Sequence, residues 1–178
     1  VLRPPKLEEL RMSDRFSRDN AIGKILLNWW QGLADDRASR AILRRAGNTT
    51  AVVLSAPYQH LFRRLSAAGW NEGKTSPLND RLAAAIGLLV HVEQDGTLSP
   101  AKAMSHKAAG EERPAVSELR FMRLLESDSP DSLLTGLRRV LPLMEQRIDV
   151  IELVNDILFW GDKVKKSWAY DYEWPART

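Results

Sequence analysis

The sequence has no cysteine, which excludes disulfides, thiolate zinc sites, iron–sulfur clusters and cysteine nucleophiles. Three histidines, His60, His91 and His106, are the only imidazole candidates, and they lie far apart along the chain. No apolar run approaches the roughly 18 residues of a membrane span, and charged residues interrupt the first 24 positions too often for a signal peptide. The expectation is a globular protein of the cytoplasm. There is no Gly-rich phosphate loop, no HExxH, no GxSxG and no metal-spaced cluster of His, Asp and Glu. Adjacent acids such as Asp35-Asp36 and Glu111-Glu112 suit helix caps or solvent better than paired acid–base chemistry. The expectation is therefore no catalytic residue, no metal and no cofactor.

What remains is a chain of 178 residues, 44% hydrophobic and 28% charged, enough to bury a core. Its formal net charge is +3, compatible with a nucleic-acid partner without requiring one. The charge is unevenly placed. Residues 1–48 hold 10 basic and 6 acidic side chains, whereas 149–178 hold 4 and 6. Arginine outnumbers lysine and occurs in pairs, Arg44-Arg45, Arg63-Arg64 and Arg138-Arg139, a bias that suits bidentate phosphate contacts.

β-branched runs are almost absent. The exception, Thr49-Thr50-Ala51-Val52-Val53, is too short and isolated to seed a sheet. The fold class expected is all-α. Helical spacing and caps predict helices over 20–33, from Asp35 or Asp36 to Ala46, from Ser55 to Gly69 and from Leu78 to Gln94. Further helices are expected from Pro114 to Glu126, from the Ser127–Asp131 turn to Gln146 and from Asp149 to Tyr170. Between them, 98–113 is rich in Ser, Ala, Lys, Gly and Glu with no sustained apolar stripe, which predicts a linker or mobile loop. The organisation expected is an N-terminal bundle (1–97), that linker, and a C-terminal bundle (114–178).

The chemistry that can be found is basic. At about 100° per residue, Ala38, Ile42, Leu43 and Ala46 share one side of the second helix, with Arg37, Arg40 and Arg44 opposite. On the Pro114 helix, Leu119, Phe121, Leu124 and Leu125 define the inward side, and Arg120 and Arg123 project away. On the next, Leu133, Leu134, Leu137, Val140 and Leu141 form the core stripe, leaving Arg139 outward and Arg138 at the margin. Any one such helix has an ordinary solvated face; three in succession suggest a phosphate-tracking surface. On the last helix Asn155, Phe159, Lys163 and Lys166 are expected to share the outward side. Trp30 and Trp160 suit helix packing better than base stacking, and His60 and His91, among apolar residues, suit structural roles.

Trp29-Trp30-Gln31-Gly32-Leu33, the segment Asp36 to Ala46, Pro57-Tyr58 through Leu65, Arg113 through Leu125, Leu137 through Leu141 and Leu158-Phe159-Trp160-Gly161-Asp162 resemble, in order and spacing, the CasB family. CasB is the small subunit of the type I-E CRISPR Cascade complex. The resemblance spans residues 22–166. It implies an all-helical, non-catalytic protein that sits as a head-to-tail pair with a second copy of itself, touching the backbone subunits and the large subunit. It also implies a basic face that holds the displaced non-target DNA strand and supports the guide–target hybrid, a role carried here by Arg44, Arg45, Arg120, Arg123, Arg138 and Arg139 as a group. Arg45 lies by helical angle between core and solvent, where it could instead pair with an acid. Residues 1–18 and the acidic, aromatic tail 169–178 fall outside the resemblance, and the tail is expected to pack against the protein or a neighbour. The alternative is a structural helical adaptor whose arginines make protein–protein contacts.

Overall fold

The computed structural model describes residues 16–144 and 147–177, so the expected helix end at Gln146 and the beginning of the 1–97 unit lie outside the described residues. These form ten α-helices, α1 (Ala21–Gly32), α2 (Arg37–Arg45), α3 (Thr49–Val53), α4 (Ala56–Ala67), α5 (Pro77–Leu89), α6 (Pro100–Ser105), α7 (Glu118–Leu125), α8 (Pro130–Val140), α9 (Val150–Leu158) and α10 (Asp162–Asp171). No strand occurs among the described residues beyond an isolated bridge between Leu98 and Ile148. The fold is all-α, as expected.

Short polar side chains set most of the helix starts by accepting otherwise unpaired backbone N–H groups. Asn20, Asp36, Asn48, Ser55, Ser117 and Asp149 each accept from the third residue onward, and Ser129 and Ser132 bond reciprocally at the start of α8.

The middle of the molecule is α5, whose Leu82-Ala83-Ala84-Ala85-Ile86-Gly87-Leu88-Leu89 run is buried on every side. Helices α3, α8 and α9 pack against it. A helix apolar all round is a helix surrounded. Gly87 makes the closest approach possible: a Cβ there would lie 3.1 Å from Val52 of α3 and 3.3 Å from the guanidinium of Arg138 on α8. Buried residues from both sides of 98–113 belong to one hydrophobic cluster.

Several elements differ from the sequence expectation, each for a tertiary reason. The β-branched run Thr49–Val53 is a helix, because Asn48 caps it, Asp131 accepts the Thr49 N–H from a distant helix, and Val52 is buried against α5. The 98–113 segment contains α6, with Ala101, Ala103 and Met104 buried and packed near α10; its apolar stripe is one turn long, too short to register as periodicity. The helix expected from Pro114 starts at Glu118 instead, since Ala115 and Val116 direct their N–H groups to His106 and Met104 carbonyls. α5 stops at Leu89 rather than Gln94, where the Val92 carbonyl turns to accept from the Trp30 indole. α8 stops at Val140, passing into a 3₁₀ turn with Pro142 inside it.

The final helix is two helices. Arg81 donates to the carbonyls of Leu158 and Trp160, 3.0 and 2.9 Å away, and the Trp160 indole donates to Ser127, so the chain leaves α9 at Phe159 and restarts after Gly161.

Candidate nucleic-acid interface

α7 and α8 are joined by the turn 126–129 and enclose a groove of about 680 Å³. Its walls carry Arg120 and Arg123 from α7 and Arg139 from α8, and its turn end carries Glu126, Asp128 and Asp131. Leu124 rests against Gly136, where a Cβ would come within 2.7 Å of the leucine methyl, so any larger residue there would have to push that methyl aside. Arg120 and Arg139 lie toward the helix ends away from the turn. One carboxylate of the turn end is already engaged: Asp131 accepts from Thr49 at 2.8 Å.

Arg120, Arg123 and Arg139 are exposed. Among the described residues, no hydrogen bond or ion pair holds their guanidiniums. Three of the arginines singled out by sequence are thus brought to one groove with their donors available.

Arg138, next to Arg139, is not among them. Its guanidinium donates to the carbonyls of Ala46 (2.6 Å), Leu43 (3.1 Å) and Gly87 (3.0 Å), satisfying the last turn of α2 and a carbonyl of α5 at once. Burial lowers its pKa; the charge stays, because guanidinium does not lose its proton in proteins. Placed at the margin by sequence, it is an internal tie.

The α2 residues are divided. Arg37, Arg44 and Arg45 are exposed and Arg40 is half-buried, with Arg40 and Arg44 lining a second cleft of about 380 Å³ beside Trp30, Val90 and Val92. Arg45 has no acidic partner among the described residues. The inward side expected of this helix is narrower than the spacing suggested: Leu43 and Ala46 are buried, whereas Ala38 is exposed and Ile42 is 44% exposed. Leu119 likewise, expected inward on α7, is 61% exposed. Lys163 and Lys166 project from α10 into solvent, but Asn155, grouped with them by sequence, is buried, its side chain bonded to both the N–H and the carbonyl of Phe16.

The histidines are dispersed. His91 has its Nε2 buried without a partner, and burial, followed by the charges of Arg138 and Arg44, pushes its pKa down to about 4. Trp30 and Trp160 are packed, Trp160 edge-on to Trp168 with centroids 4.8 Å apart. Among the described residues no group of three His, Asp or Glu side chains is gathered to hold a metal, and no helix is long and apolar enough to cross a membrane.

Two structural arginines escaped the sequence reading. Arg18 bridges Asp95 (2.6 Å) and Asp149 (3.0 Å), and Arg81 fixes the break between α9 and α10. Both act on partners at least 77 residues away, so no local pattern marks them. The tail packs in part: Tyr172 is buried, as expected, whereas Tyr170 is exposed. Tyr172 stacks on Phe121 at 4.1 Å and donates to the Val116 carbonyl, and Trp174 meets Phe121 edge-on. Burial, reinforced by Glu118, pushes the Tyr172 hydroxyl up to about 12.

A search of curated proteins returns no match. Among solved structures, the chain is similar to one in E. coli Cascade bound to a PAM-containing double-stranded DNA target, with a TM-score of 0.62 and 22% identity over 84% of this chain and 92% of that one. It is also similar to CasB from Thermus thermophilus, with a TM-score of 0.55 and 20% identity over 86% of this chain and 97% of that one. At such identity these likenesses establish a common fold. The family model for CRISPR-associated protein Cse2 matches residues 39–172, which include all ten site residues named from sequence except Arg37. By that match, over most of its length, the chain belongs to the CRISPR-associated protein Cse2 family.

Proposed function

We propose that this protein is a non-catalytic subunit of an RNA-guided DNA-targeting complex of the Cascade type, and that it stabilises the R-loop by holding the displaced strand on its basic surface. The observation that carries the reading is the α7–α8 groove, where Arg120, Arg123 and Arg139 converge with no internal partner among the described residues. Opening a duplex against a guide is nearly balanced in energy, so a few phosphate contacts tip it. Such contacts need guanidinium donors on a fixed scaffold and no base-reading side chains, because they must accept any sequence. The exposed arginines of α2, with Arg44 at a separate cleft, and Lys163 and Lys166 on α10 are the further phosphate contacts of this proposal. Family membership and the likeness to a chain of a DNA-bound Cascade support the assignment. The partners proposed are the other Cascade subunits, a second copy of this chain, and nucleic acid.

The test is binding of random-sequence single-stranded and duplex DNA as a function of salt, for wild type and for the variant with Arg120, Arg123 and Arg139 all changed to Ala. Wild type is expected to bind single strands without sequence preference. The variant is expected to keep its helicity while the slope of log affinity against log salt flattens by about 2, three phosphate contacts at roughly 0.7 each. An unchanged affinity and slope would overturn the groove as the strand site. Absence of strand binding even at low salt would point to the structural adaptor.

A further inference from the structure

Tyr170 is 90% exposed, although it sits in the last turn of α10, where its backbone is fixed. The other tail aromatics are engaged: Tyr172 is stacked and buried, and Trp174 is edge-on to Phe121 with its indole donating to Ala169. Tyr170 makes no such contact. Along α10 the positions Lys163, Lys166 and Tyr170 follow helical spacing, so the three share one stripe. That stripe points about 160° away from Trp168, the buried anchor of the helix. Lys163 and Lys166 are both exposed and, like the tyrosine, hold no partner among the described residues. The acids of the helix, Asp162 and Asp171, lie about 70° and 105° from the middle of the stripe on either side, Asp162 one turn before Lys166. The third lysine, Lys165, is turned inward over the Trp160 ring at 5.8 Å.

A phenol ring open to solvent on a helical backbone, one turn from one lysine and two turns from another, has the composition of a platform for unpaired bases: cations for phosphate and a π-face that any base can stack on. We propose that the Lys163–Lys166–Tyr170 stripe of α10 is a single-strand binding subsite in which Tyr170 stacks on an unpaired nucleobase while the two lysines meet flanking phosphates. This rests on the reading of the protein as a strand-holding subunit and adds base contact to it, which the arginine groove does not supply. The occupant is single-stranded nucleic acid because both charges on the stripe are positive and the aromatic face is open. A duplex, whose bases are stacked on each other, gives the ring nothing to hold.

The test uses the full chain with a fluorescent thymidine 20-mer, an abasic strand of equal length, and the corresponding duplex. Tyr170→Ala is expected to weaken the thymidine complex by roughly 5- to 100-fold, to leave the salt slope unchanged because no charge is lost, and to leave abasic-strand binding untouched. Tyr170→Trp should restore binding. Lys163→Ala with Lys166→Ala should weaken both strands and reduce the slope. Equal binding of Tyr170→Ala and wild type to the thymidine strand overturns the subsite; so does an equal loss on the abasic strand. The groove variant run in parallel separates the two proposals. If it loses binding while Tyr170→Ala does not, the strand-holding function stands and the subsite falls, and if wild type binds no strand at low salt, both fall.

Discussion

Arg138 and Arg139 are neighbours in sequence and opposites in use. Arg138 runs inward to three carbonyls on two other helices; Arg139 faces a solvent groove with no partner among the described residues. Both come from one turn of α8, about 100° apart, and that angle separates a group that holds the fold from a group free to hold something else. The lesson extends across the molecule. Arg18, Arg81 and Arg138 bond to this chain over long sequence separations, whereas Arg120, Arg123 and Arg139 are left available along one groove.

The comparison breaks most sharply at Arg138. Changing it to Met should cost about 3 kcal/mol in chemical denaturation, since charged donors contribute roughly 1.5–3 kcal/mol each and the deserted carbonyls are left without partners; a cost near zero would mean the tie is dispensable. His91 gives the next effect. Its folded pKa lies near 4, below the roughly 6.5 of an unfolded chain. At pH 7 the folded state is neutral and the unfolded one mostly so. As pH falls below about 6.5 the unfolded chain takes up a proton that the folded one refuses, so stability drops until about pH 4. Between pH 7 and 5 this should amount to roughly 1 kcal/mol, discounted because the half-exposed ring is screened by solvent. His91→Leu should remove that part of the pH dependence; a parallel curve would assign it elsewhere. Arg18→Ala, which removes a partly exposed bridge to two carboxylates, should cost about 0.5–1 kcal/mol, and less in high salt. Smallest is Arg139→Ala, expected within about 0.5 kcal/mol of wild type in stability while weakening strand binding. If it destabilised as much as Arg138→Met, the division between holding and available arginines would collapse.

Much of this was legible in the sequence. The caps at Asn20, Asp36, Ser55 and Asp149 follow from local hydrogen-bonding chemistry, and the all-α class follows from the scarcity of β-branched runs. Arg120, Arg123 and Arg139 could be placed outward because α7 and α8 bury leucines at regular spacing. The rest depended on contacts that spacing does not encode. Helical angle put Arg138 only at the margin of the core face, and its role as a tie was hidden because its acceptors lie 51 to 95 residues away. The break after Phe159 depended on Arg81, and Asn155 looked outward until its partner proved to be the backbone of Phe16. Leu119 and Ile42 misled in the other direction: apolar residues at helical spacing define a core face only where another element arrives to cover it. Tyr170 belonged by sequence to an acidic, aromatic tail expected to pack, which masked its place on the lysine stripe of the helix it ends.

The stack of Tyr172 on Phe121 sets an order of events during synthesis. Every arginine of the groove has been made by the time residue 139 is joined, yet Phe121, on the underside of α7, has no lid until residue 172 follows. A nascent chain that has passed α8 therefore carries Arg120 and Arg123 on a helix that already meets α8 through Leu124 and Gly136, while its Phe121 still lacks the rings of Tyr172 and Trp174. The helix that carries two of the groove's arginines thus receives its last packing contact from a segment that contributes none of them.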